Sequence, residues 1–352
     1  MAGSRTLRLS RALGSSRVRV AFSGLAVTSH SSTHRRKDSS PFGSVLPSAC
    51  TDVDFPSRQA EILVTQGSQH GLSTLAAVLV SRGEEVLLEQ PVYPGALQAF
   101  SLAEAKIAGL AVTETGWALE GLNATSSKAI YVISHHQNPT GRRATAEQKA
   151  ELAAFAERTG TFVIEDDAYG ELAFDDAVLR PLVADCPNLG VLVGSFSKTL
   201  SPGLRLGYVV VPRVLRDVVV KTLQATALQP GTLTQYLVDD LLGSLDYDAH
   251  LTELRRCYGA RATALSRRLE SLGWPHLRPA GGFFLWVETR GLATEMATLL
   301  AKQGLIAVPE SAFRCPSLAR EDRHLRLAFS RYLDDDPSRN ALRSALSAAK
   351  GL

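Results

Sequence analysis

What this 352-residue chain lacks narrows its class before any motif is read. Its 38 Lys and Arg against 35 Asp and Glu leave a net charge of only +3, too little to mark nucleic acid or a membrane surface as a partner. No apolar run approaches the length that spans a bilayer. Cys50, Cys186, Cys257 and Cys315 are scattered, with no C-x-x-C pair and no clustered histidines. That argues against a zinc site or a disulfide framework, so no metal is expected, and it fits a reducing compartment. No internal repeat is visible. Acidic residues are missing altogether from residues 1–37, which carry Arg5, Arg8, Arg11, Arg17, Arg19, Arg35, Arg36 and Lys37. Such an opening has the composition of a transit peptide without the apolar core of a secretory signal. It reads equally as a disordered basic tail or as a tract foreign to the fold. The expected location is cytoplasmic, with organellar targeting through residues 1–37 as the alternative.

What is present is a chain long enough for one large domain and a smaller companion, with 45% apolar content for its core. Residues 61–65 (EILVT) read as a buried strand, and Gly67-Ser68-Gln69 opens an apolar helix to about residue 81. A strand, a glycine turn and a helix aim free N–H groups at an anion, although a glycine that simply permits the turn explains the same residues. A strand at 86–89 leads to Tyr93 in a proline-bracketed loop, where the ring could stack on a planar ligand or fill the core. The next strand read is 129–134, ending in His135-His136-Gln137-Asn138-Pro139-Thr140-Gly141. Adjacent histidines on an extended segment point opposite ways and do not share a metal. Thr145 and Gln148 form a capping box, Gly160 stops that helix, and a strand at 161–164 delivers Glu165-Asp166-Asp167. Three acids there read as a solvated rim or as Mg²⁺ ligands.

After a strand at 191–194 comes Ser195-Phe196-Ser197-Lys198, followed seven residues later by Arg205 and a strand at 206–211. A lysine at a buried strand's end, with hydroxyls before it and a fixed cation after it, suits amine chemistry on an anionic cofactor, although taken alone Ser-x-x-Lys reads as a surface lysine in a basic loop. Apolar strands alternating with helices indicate a mostly parallel sheet covered on both faces, with ligands bound beyond the strands' carboxyl ends. Beyond residue 217 come a long helix within 246–272, a strand at 283–288 and a helix at 294–303. An alternating strand at 324–330 and a helix capped by Asp336 close the chain. The expected class is therefore α/β with a smaller α+β carboxyl-terminal domain. The expected division is 1–56 as a basic Ser/Arg-rich segment, 57–235 as the large domain and 236–352 as the small one.

The phrases GSQHGL, EQPVYPGA, HQNPTG, IEDDAYGEL, SFSKTLSPGLRLGY, PAGGFFLW and LRLAFS, in this order, resemble the fold-type I pyridoxal-phosphate enzymes of the aspartate aminotransferase superfamily. The resemblance runs from about residue 60 to the end. It is nearest to class I/II aminotransferases of the aminoadipate/kynurenine type and to the effector domains of MocR-type regulators. It implies pyridoxal 5′-phosphate as cofactor, an L-amino acid and a 2-oxo acid as substrates, and a homodimer. It also implies that Lys198 holds the cofactor as an internal aldimine and acts as general acid/base, with Asp166 on the pyridine nitrogen. Asn138 and Tyr169 would face the phenolic oxygen, and Tyr93 would stack on the ring. Gly67, Ser68, Gln69, Ser195, Ser197 and Arg205 would cradle the phosphate, and Arg326, with Asn138, the substrate carboxylate.

The departure lies before residue 60, where family members place a helical arm and a tyrosine that reaches the neighbouring subunit. Here no Tyr precedes Tyr93, and residues 1–56 lack apolar periodicity. A lyase or cyclase of the same fold, a ligand-sensing regulatory domain and an inactive remnant are the alternatives to transamination.

Overall fold

The computed structural model describes residues 60–348, apart from 121, 123–126, 176, 178 and 316–321. Expectations for residues 1–56 lie outside that range. Eight strands form the large sheet: β1 (Ala60–Thr65), β2 (Glu85–Gln90), β3 (Lys106–Thr113), β4 (Gly116–Trp117), β5 (Ser127–Val132), β6 (Phe162–Asp167), β7 (Gly190–Ser195) and β8 (Gly207–Pro212). Their order is β1-β8-β7-β6-β5-β2-β3-β4. The five from β7 to β3 run parallel, while β8 is antiparallel to both β1 and β7.

Alternate residues of each strand feed opposite cores, as a pleat requires. On one face Tyr131, Ile133, Ile164, Val191, Val193 and Val209 pack with helices α1 (Ser68–Leu79), α2 (Pro94–Leu102) and α4 (Arg216–Ala227). On the other, Ile130, Val132 and Val163 meet Leu152 and Phe155 of α3 (Ala146–Thr159), and Leu192 and Val210 meet Val238 and Leu242 of α5 (Thr232–Ser244). Helix α5 thus packs on the large sheet and runs through position 235.

The capping box of α3 is formed, with Thr145 accepting from the Gln148 N–H and Gln148 from the Thr145 N–H, and Gly160 closes the helix in the left-handed region. Helix α2 and strand β3, between Tyr93 and β5, go unread in the sequence, because Lys106–Thr113 is only partly buried and lies near the sheet edge.

The remaining chain forms α6 (Tyr247–Ser271), β9 (Phe284–Glu288), α7 (Ala293–Lys302), β10 (Val308–Pro309), β11 (His324–Ala328) and α8 (Asp336–Ala348), with a three-stranded sheet ordered β10-β11-β9. Leu285, Val287, Leu325 and Leu327 face the helices together with Leu265, Leu269, Trp274 and Met296. The alternating positions, Phe284, Trp286 and Arg326, therefore face the large domain. Asp336 is the first residue of α8 rather than its cap. Asp335 takes that place, accepting from the Ser338 N–H at 3.0 Å.

Candidate functional site

The carboxyl ends of β1, β2, β5, β6 and β7 bring the motif residues to one crevice. Gly67 caps α1 with φ 82° and without any side-chain hydrogen bond, so the first-turn N–H groups are not taken by a cap. A Cβ on Gly67 would stand 2.9 Å from Arg205 Nη2, which places that guanidinium directly against the helix start. Arg205 itself is left-handed (φ 48°). Gly207 lets the strands close up at the same point: a Cβ there would lie 2.7 Å from the Gly194 carbonyl and 2.8 Å from the Ser68 nitrogen. Ser195 Oγ accepts from the Ser197 N–H at 3.2 Å. Amides, hydroxyls and one arginine at a helix N-terminus make a cup suited to a phosphate.

Gln69 Nε2 donates to the Gly95 carbonyl at 2.8 Å, and the Tyr93 hydroxyl lies 3.4 Å from Gln69 Oε1. Tyr169 is buried and meets Phe283 and Phe284 edge to face. Lys198 follows β7, with Nζ 5.9 Å from the ring centres of both Tyr169 and Phe283. Burial lowers the Lys198 pKa from its ordinary value; the Asp166 charge opposes that shift, and Arg205 and Arg326 reinforce it. An amine held below its usual pKa has a larger neutral, nucleophilic fraction near neutrality.

Asp166 is buried, and its Oδ2 accepts from the Tyr131 hydroxyl at 2.8 Å. Its Oδ1 is buried with no hydrogen-bond partner. Burial pushes its pKa up to about 6, against the hydrogen bond from Tyr131 and the Lys198 charge. An orphaned carboxylate oxygen in a lysine-bearing crevice fits a ligand that brings its own N–H. From the small sheet, Arg326 Nη1 donates to Asn138 Oδ1 at 2.8 Å. Arg326 Nε is buried without a partner.

Two readings change. The acids at the end of β6 are not a solvated rim. Pleat alternation sends Asp166 to the crevice and Glu165 and Asp167 to the opposite face. There Glu165 takes Ser134 Oγ and the Val183 N–H, and Asp167 takes the Gly170 N–H at 2.8 Å and lies 3.3 Å from His135 Nδ1. His136 is left-handed (φ 52°) rather than extended, so the opposite-facing argument does not describe it. Among the described residues no three His, Cys, Asp or Glu side chains gather as a metal site, and no helix is long and apolar enough to cross a membrane.

Tyr131 is the site residue that motif reading misses. Its signal is a lone phenol in an otherwise aliphatic strand interior. A cavity of about 550 Å³ opens beside Glu89, Trp117, Arg142, Trp286 and His324; Gln137, next to Asn138, lines it, but Lys198, Asp166 and Tyr169 do not.

The chain matches the family described as aminotransferase class I and II over residues 53–343. It is 34% identical over 250 residues to the 2-aminoadipate transaminase of Thermus thermophilus, spanning 68% of this chain and 63% of that protein. It is likewise 34% identical to the HTH-type transcriptional regulator TauR of Rhodobacter capsulatus, over 77% of this chain and 57% of the regulator. The crystal structure of LysN, the α-aminoadipate aminotransferase of Thermus thermophilus, complexed with N-(5′-phosphopyridoxyl)-L-leucine, superposes with a TM-score of 0.76. It is 31% identical, over 82% of this chain and 77% of that one. The two curated relatives are thus matched over about three fifths of their own length. With a family match that runs from residue 53 to residue 343, this chain belongs to the class I and II aminotransferases.

Proposed function

We propose that this protein is a pyridoxal-5′-phosphate-dependent transaminase that moves an amino group between an L-amino acid and a 2-oxo acid, acting as a homodimer. The observation that carries the reading is the pairing of a partly desolvated Lys198 amine with a buried Asp166 whose Oδ1 has no partner. Pyridoxal phosphate, when bound, supplies an aldehyde for a lysine and a ring that takes up the electrons of a broken Cα–H bond.

The chain's own residues do the rest. Arg205, the amides of Ser68 and Gln69, and the hydroxyls of Ser195 and Ser197 hold the phosphate. Asp166 Oδ1 accepts the ring N–H and keeps the positive charge there by Coulomb attraction. Tyr93 would cover the ring face, and the Asn138 amide and the Tyr169 hydroxyl would be the donors for its phenolic oxygen. Arg326 grips the substrate carboxylate and so orients the Cα–H bond. Lys198 Nζ, with its pKa lowered by burial, would take the substrate's Cα proton as general base. Arg326 lies on β11 and Lys198 in the loop after β7, so positioning and proton transfer would come from different elements of the fold.

A second reading is a ligand-sensing domain, favoured by the match to TauR. One experiment decides. The purified protein with pyridoxal phosphate is expected to show a near-visible absorbance band that Lys198→Ala abolishes and that an amino acid bleaches, with release of its oxo acid. No band at excess cofactor overturns both readings. A band that persists through amino-acid addition, with no oxo acid formed, leaves the sensor.

A further inference from the structure

Strand β5 is built to be buried, and in its fully covered stretch from Ala129 to Val132 the one hydroxyl is that of Tyr131. Its side chain is fully covered and its ring meets Phe100 edge to face, with centroids 6.5 Å apart. A buried phenol needs a partner for its O–H. Register supplies one: Tyr131 lies opposite Ile164 in the parallel pair of β5 and β6, so Asp166, two residues on, shares its face of the sheet. The hydroxyl reaches Asp166 Oδ2 at 2.8 Å. With that oxygen taken, Oδ1 is the carboxylate atom left to accept anything else, and it is buried and unpartnered.

We propose that Tyr131 is a positioning residue for the cofactor: its hydroxyl fixes Asp166 through Oδ2, so that Oδ1 is presented as an ionised acceptor to the ring nitrogen. The inference rests on the transaminase reading above. A carboxylate buried without such a donor gains by becoming neutral, and a neutral acid no longer holds a cationic ring. The other titratable groups that act on Asp166 do not replace the phenol. Asp167, on the same strand, favours the neutral acid, while Lys198, in the loop after β7, favours the carboxylate only while it carries a proton. Glu89, Tyr93 and Tyr169 also feel the Asp166 charge, but no hydrogen bond joins any of them to it. Tyr131 is the donor that stays in place whatever the state of the lysine.

The test follows the near-visible band of the lysine-linked cofactor in the holoprotein as pH is varied. Tyr131→Phe keeps the ring and removes the hydroxyl. A less firmly ionised Asp166 leaves less positive charge on the ring, so the linking nitrogen keeps its proton to higher pH. The midpoint is expected to rise by about half a unit or more, and cofactor affinity to fall several-fold. Placing 3-fluorotyrosine at position 131, a stronger donor of nearly the same shape, is expected to move the midpoint the other way. It also decides the matter if the phenylalanine variant does not fold. Opposite shifts from two packing-neutral changes are not the behaviour of a residue that only fills space. If wild type forms no band, the transaminase reading fails. If wild type forms the band and the position-131 variants titrate as wild type does, this inference alone is overturned.

Discussion

Arg326 Nη1 and Asn138 Oδ1, 188 residues apart in the chain, are joined at 2.8 Å, so a strand of the small sheet and the loop after β5 share one hydrogen bond. The guanidinium lies 4.3 Å from the centre of the Phe284 ring and 5.0 Å from that of Phe313, and such stacking fixes the plane of its fork. Part of that fork is still unused, since Nε is buried and unpartnered. Arg326→Lys keeps the charge but loses the planar donors. We expect KM for the amino acid to rise about tenfold or more, the loss of one charge-assisted hydrogen bond, while the cofactor band survives. Steady-state kinetics with varied amino acid check this, and an unchanged KM removes Arg326 from the carboxylate.

Gly67 is where backbone conformation and the proposed phosphate cup meet. Its φ of 82° suits glycine, and any Cβ would press on Arg205 Nη2 at 2.9 Å. Gly67→Ala is expected to destabilise the fold by about 1–3 kcal/mol through backbone strain and to weaken pyridoxal-phosphate binding about tenfold by displacing the guanidinium. Urea unfolding and equilibrium dialysis separate the two effects. Destabilisation with unaltered cofactor affinity sinks the claim that Arg205 faces the phosphate.

The strand-end motifs were legible because each rests on a local rule. Gly67 before an apolar helix, the Thr145–Gln148 box and the left-handed Gly160 are all determined within a few residues. The strand that carries Arg326 is legible because HLRLA alternates, with Leu325 and Leu327 turned to the helices, whereas Arg326 itself is singled out only by the family resemblance. What stayed hidden depends on distant partners. The acids after Ile164 look like a polar rim until Ser134 and Val183 are found to satisfy Glu165, and Gly170 to satisfy Asp167. Tyr131 looks like core filling until register sets it beside Asp166. Strand β3 is hard to read because its apolar run, residues 107–112, is half alanine and glycine, a composition with low strand propensity.

The lowered pKa of Lys198 has a direct kinetic consequence. Desolvation is its main cause, so the amine is expected to reach its reactive neutral form at lower pH than a solvated lysine does. The rate at which the cofactor-free protein takes up pyridoxal phosphate covalently, followed by stopped-flow absorbance, should rise with pH and level off below the usual lysine range near 10.4. Tyr169→Phe leaves the surrounding aromatic packing in place and should leave that midpoint nearly unmoved. A rate still climbing up to the ordinary lysine pKa contradicts a desolvated amine.

Glu89 offers a pH test of the loop that carries Asn138. It is buried at the end of β2, where Oε1 accepts from the Ile133 N–H at 2.7 Å and from Gln137 Nε2 at 3.2 Å, and Oε2 accepts from Trp117 Nε1 at 3.2 Å. Burial outweighs these donors and pushes its pKa from 4.5 up to about 8. The folded state therefore keeps a proton there that the unfolded chain releases. A raised folded pKa contributes stability that is fully present below about 4.5 and is lost as pH rises through about 8. Glu89→Gln imitates the protonated acid at all pH values. The variant should match wild type within about 1–2 kcal/mol near pH 4.5 and gain on it steadily toward pH 8, by on the order of a few kcal/mol at most. Urea midpoints of both proteins across that window measure the difference directly. Parallel stability curves would mean that Glu89 is already ionised in the folded protein, with its three donors outweighing the cost of burial.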